Sequence, residues 1–120
     1  MTANEIAKLV CDIPEEFRRR GDVSVAELFA ASGYMCSDPT VHAAIEQQLR
    51  ARPRLVDEWL TYSADKRTSS GWYVEDGAPA LVGYYDPQIG RSREELFTDR
   101  WQACAQFIIR ELESMREQTA

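Results

Sequence analysis

Residues 65–86, DKRTSSGWYVEDGAPALVGYYD, decide how this chain is read. A polar run gives way at Gly71 to Trp72, Tyr73 and Val74, then to Asp76-Gly77 and Pro79, then to Leu81, Val82, Tyr84 and Tyr85. Aromatic and β-branched residues on both sides of a Gly- and Pro-containing turn predict a β-hairpin, about 71–75 and 80–85. A lone hairpin is marginal in water, so other elements must pack against it. Side chains alternate along a strand, so loop length sets which residues share a face. An even-length loop groups Trp72, Val74, Leu81, Gly83 and Tyr85 on one face, and Tyr73, Glu75, Ala80, Val82 and Tyr84 on the other. The first set is expected to face the core, with Gly83 leaving room for the Trp72 indole. An odd-length loop would shift one strand and redraw this division. Tyr73 and Tyr84 are left without a core role.

Outward from the hairpin the hydrophobic period becomes helical. Thr2 with Glu5 forms a capping box ahead of Ile6, Leu9, Val10 and Ile13. Pro14 opens a short helix with Glu15 and Glu16 at its positive end, Arg18, Arg19 and Arg20 at its negative end, and Gly21 as the stop. Ser24 with Glu27 caps a helix carrying Val25, Leu28 and Phe29, and Gly33 ends it. Asp38-Pro39 begins a helix with Val41, Ala44, Ile45 and Leu49 on one face. Pro53 begins another, with Leu55, Val56, Trp59 and Leu60 inward. Downstream, Asp86-Pro87 and Gly90 end the second strand, and Ser92 with Glu95 reads as a third capping box. Phe97, Trp101, Cys104, Ile108, Leu112 and Met115 then form a continuous apolar stripe, widened by Leu96 and Phe107. A long C-terminal helix over about 93–116 follows, roughly 36 Å at 1.5 Å per residue. The expected fold is α+β: several short N-terminal helices, one hairpin and this long helix, in a single domain over residues 1–120.

Composition excludes several functions. At 120 residues, with 44% hydrophobic and 28% charged, the chain has the make-up of an ordinary globular domain. Its 20 acidic and 14 basic residues give a formal charge of −6, a field that repels phosphate backbones and disfavours nucleic-acid binding. No apolar run approaches the ~20 residues of a bilayer span, so no membrane role is expected. The opening MTANEIAKLVCDIPEE lacks a basic segment followed by a long apolar one. Cys11, Cys36 and Cys104 are odd in number and widely spaced, which favours reduced thiols and a cytoplasmic location. Cys11 and Cys104 lie in apolar stripes and read as small core residues.

Motifs for chemistry are scarce. His42 is the one histidine and no cysteine pair has metal-binding spacing, so neither a metal site nor a cofactor is expected. In CSDPTVH, Cys36 precedes a helix start with His42 six residues on, but Asp38 already takes the cap and its charge opposes a thiolate. Ser69-Ser70 has no nucleophile-elbow pattern. The acid pairs are sequence neighbours, which diverge on a helix or strand. The six glycines match no phosphate loop. No catalytic residue is assigned, and the balance is against an enzyme. Arginine groups at 18–20, 50–54 and 91–93 would have to converge to bind an anion.

What remains is the hairpin surface. Tyr73 and Tyr84 supply amphipathic contact area, and Lys66, Arg67, Glu75 and Asp76 a charged rim, a hot-spot composition. The expectation is a small acidic protein-binding module that engages another protein, a basic one in the concrete case of an immunity- or antitoxin-type inhibitor. A homo-oligomeric or scaffold subunit joined through hairpin edges or the long helix, and a small enzyme with a site assembled across the fold, are the alternatives.

Overall fold

The computed structural model describes residues 2–34, 38–65 and 70–119. Among them the chain forms α1 (Ala3–Cys11), α2 (Ile13–Arg20), α3 (Val25–Ser32), α4 (Pro39–Ala51), α5 (Arg54–Asp65), β1 (Gly71–Glu75), β2 (Ala80–Asp86), β3 (Gly90–Phe97) and α6 (Arg100–Thr119). The overall class is α+β. The caps act as their residue types dictate. Thr2–Glu5 and Ser24–Glu27 both close complete capping boxes, and Asp38 accepts from the Thr40 amide ahead of Pro39. Gly21 and Gly33 end α2 and α3 in the left-handed conformation that glycine adopts without steric cost.

The segment after the hairpin departs from expectation. Ser92 and Glu95 do not cap a helix. They lie in β3, which pairs antiparallel with β2 and makes the sheet three-stranded, in the order β1-β2-β3. The long helix therefore starts at Arg100 rather than near residue 93. Asp86 Oδ1 accepts from the Gln88 amide and Gly90 has a φ of 82°, which together fold the chain back into a second hairpin. Once folded back, residues 90–97 pair with the free side of β2, satisfying backbone groups that a two-stranded sheet would leave open. Phe97 had seemed to start the helical stripe. It faces the same core from the end of β3, whereas Leu96 points away and is 68% exposed.

One strand is also exchanged relative to the even-loop reading: β1 keeps its expected faces and β2 reverses them. Glu75 pairs with Leu81, so the β1–β2 loop holds five residues, 76–80. The pairs Trp72↔Tyr84 and Val74↔Val82 put those four side chains on the inner face, with Ala80 and Phe97. Tyr73↔Gly83, Glu75↔Leu81 and Gly71↔Tyr85 share the outer face. Trp72 keeps its expected core position at 8% exposure. Gly83 makes room for Tyr73 and not for the indole: a Cβ there would lie 2.4 Å from the Tyr73 hydroxyl.

The core runs from α1 and α4 through α6 to the inner sheet face. Trp59 of α5 is fully buried, meets Phe107 edge-on and donates its indole N–H to the Cys11 carbonyl at 3.1 Å. Cys11 and Cys104 are free and buried, as their positions in apolar stripes imply. Burial pushes the Cys11 thiol up to about 12 and the Cys104 thiol well above its ordinary value. Ser63 of α5, also fully buried, accepts from the Val74 amide at 2.9 Å and donates to the Val74 carbonyl at 3.3 Å, closing the outer edge of β1. Cys36 and Ser69 lie outside the described residues. No helix among the described residues is long and apolar enough to cross a membrane.

Candidate functional site

The two tyrosines singled out in the sequence fall on opposite faces of the sheet. Tyr73 lies flat across Gly83 on the outer face and is only 5% exposed. The Arg91 guanidinium sits 4.9 Å from its ring centre and donates through Nε to its hydroxyl at 2.8 Å. Arg91 also bonds Glu75 and lies 3.5 Å from Glu94. The bonds to Tyr73 and then to Glu75 raise the Arg91 pKa, so the cluster holds a permanent cation between two carboxylates. Tyr73 and Glu75 are thus brought together. Asp76, at the start of the β1–β2 loop, pairs instead with Arg100 at 3.2 Å. Lys66 and Arg67 lie outside the described residues.

Sequence reasoning missed Leu81, Tyr85, Arg91, Glu94 and Leu96, which complete this outer face. Leu81 and Tyr85 are half-buried and none of the apolar three belongs to the core. The signal was available in Asp86-Pro87 followed by Gly90, which marks a turn between two extended runs as readily as the end of one.

Tyr84 belongs to the inner face, where it meets Trp72 edge-on at 5.2 Å. Beside this pair a cleft of about 850 Å³ opens between α6 and strands β2 and β3. Trp72 and Tyr84 line it, with Arg93 of β3 and with Arg110, Glu113 and Glu117 of α6. His42 joins the lining from α4. It is half-buried, with Nε2 3.3 Å from the Tyr34 hydroxyl, which donates to Glu113 at 2.9 Å. The 79-residue separation between Tyr34 and Glu113 left no local pattern to detect. Among the described residues no group of three His, Cys, Asp or Glu side chains is arranged to hold a metal ion.

The site thus has two parts. One is an outer sheet face where two carboxylates surround one arginine. The other is an inner cleft where aromatic rings support guanidinium groups. Compared with known proteins, the chain matches no family model, no curated protein and no solved structure.

Proposed function

We propose that the chain is a small cytoplasmic protein-binding module that receives a basic partner protein on the outer face of its sheet. One observation carries this reading: Leu81, Tyr85 and the 68% exposed Leu96 surround a fixed Tyr73–Arg91–Glu75–Glu94 cluster on a face that lies outside the hydrophobic core. Apolar and aromatic area beside a held arginine, with charge around it, is the make-up of a binding hot spot. The cluster is held before any partner arrives, which lowers the ordering cost of association. A formal charge of −6 favours and steers a basic partner, as for an immunity- or antitoxin-type inhibitor. In this reading Glu75 belongs to the rim, and Tyr84 supports the sheet from within. Two free buried thiols suit a reducing compartment.

The test compares the tagged chain with a Leu96→Asp/Tyr85→Ala double variant in lysate of the native cell, at low and high salt. The expected result is one basic protein retained stoichiometrically, lost at high salt and reduced at least tenfold by the double variant. Recovery of the bait alone, or capture indifferent to the two substitutions, overturns the reading. A second reading, self-association, draws on β3, whose outward edge makes no backbone hydrogen bond among the described residues. Light scattering across a concentration series separates the two, because a strict monomer excludes self-association.

A further inference from the structure

The register of β3 contains a fault that moves one charge to the other side of the sheet. Val82 pairs with Glu95 and Tyr84 with Ser92, so Gly83 faces both Arg93 and Glu94 across a β-bulge. Arg93 takes the bulge conformation with a φ of 54°, a region L-residues other than Asn and Asp seldom occupy. In an unbroken ladder Arg93 would oppose Gly83 and join Arg91 on the outer face. The bulge instead brings its guanidinium 5.4 Å from the Tyr84 ring centre, in the lining of the inner cleft. There it makes no ion pair among the described residues, although most arginines of this chain face a carboxylate.

A second guanidinium meets it from α6. Arg110 stacks 4.8 Å from the Trp72 ring centre, and Trp72 is in edge contact with Tyr84, so the two cations share one aromatic platform. Arg110 gives Nη2 to Glu95 at 2.6 Å, but its buried Nε–H has no hydrogen-bond partner. A buried donor without an acceptor is a rare feature in a folded protein and calls for an explanation. Arg100, which does not line the cleft, keeps a similar Nε–H, so what marks the cleft is that Arg110 shares its aromatic platform with an arginine that a strained backbone has placed there.

We propose that this cleft binds a small organic anion, with its single carboxylate or phosphate head held between Arg93 and Arg110. Planar guanidinium forks match the paired oxygens of both heads, and stacking on Tyr84 and Trp72 orients them before the ligand arrives. The cleft volume of about 850 Å³ falls within the range of small-molecule sites. Ile109 and the 75% exposed Ile89 offer apolar contact for the body of the ligand. Asp86, Glu113 and Glu117 share the lining, the two glutamates on the same helix as Arg110, and disfavour negative charge beyond that of the head, so the rest of the ligand is neutral or cationic. This site is independent of the outer sheet face and stands or falls without it.

The experiment titrates the purified chain with benzoate, phenyl phosphate and uncharged benzamide, read by NMR on the Trp72 indole N–H and the Arg93 and Arg110 Nε–H signals. Benzoate or phenyl phosphate is expected to shift all three saturably, and the tighter of the two identifies the head. Benzamide is expected to bind at least tenfold more weakly. Arg93→Gly is the decisive variant, because glycine suits the bulge backbone and keeps the fold while removing the guanidinium. It should weaken anion binding at least tenfold, while Arg50→Ala, whose guanidinium rests on Trp101 outside the cleft, leaves it unchanged. The proposal is overturned if neither anion moves the Trp72 signal, if benzamide binds equally well, or if Arg93→Gly binds like the parent chain.

Discussion

The two faces of the sheet use the same residue types to opposite ends. On the outer face Arg91 lies over Tyr73, and the two carboxylates of Glu75 and Glu94 outweigh its charge, so the cluster is net negative. On the inner face Arg93 lies over Tyr84 and Arg110 over Trp72, and among the described residues Arg93 has no carboxylate partner and Arg110 keeps an unpaired N–H. A stacked arginine therefore says little about function by itself. As proposed, the outer cluster is a rigid feature that a protein partner would meet, and the inner pair is the one open to a small anion.

The largest effect is expected at the inner face. Trp72→Ala removes a nearly buried indole, its edge contact with Tyr84 and the support under Arg110, at a cost of about 3–5 kcal/mol in urea unfolding. On the outer face Leu96→Ala should change stability by less than about 0.5 kcal/mol, because that side chain is largely in water. Similar costs for the two would break the distinction between the faces.

Gly83→Ala is expected to cost about 1–3 kcal/mol by forcing the Tyr73 ring off its seat against the pull of Arg91. Adding Tyr73→Ala should recover part of that loss, giving a coupling of at least about 0.5 kcal/mol in a double-mutant cycle. Strict additivity would mean that the ring is not packed against the glycine. Ser63→Ala leaves the Val74 amide without its partner and should cost about 1–2 kcal/mol, with faster hydrogen exchange at Val74. Exchange unchanged at that amide would mean that the β1 edge is closed by something other than the serine.

Local chemistry was legible in the sequence and pairing was not. The boxes at Thr2 and Ser24, the Asp38-Pro39 start and the glycine stops each depend on residues within one turn, and each forms as read. The same local reading failed at Ser92, where a sequence compatible with a capping box is drawn into a strand by β2. Phe97 reinforced the error, since it lies four residues before Trp101 and faces the core from either structure. The faces of the hairpin turned on a single residue of loop length, which composition does not reveal. Of the candidate site, Tyr73 and Glu75 were found together. Arg91 and Leu96 depended on recognising β3, and the Arg93 bulge depended on how that strand registers against its neighbour.

The serine that closes β1 has a consequence for assembly. A sheet with two open edges is a bifunctional monomer, able to add strands at both ends and grow into a fibre. With Ser63 engaging β1 at Val74, the open edge of this sheet among the described residues is β3, and the sheet would act as a chain terminator. Strand addition there, whether by a foreign peptide or by another copy, would stop after a single joining event, so association through this edge would yield closed pairs instead of filaments.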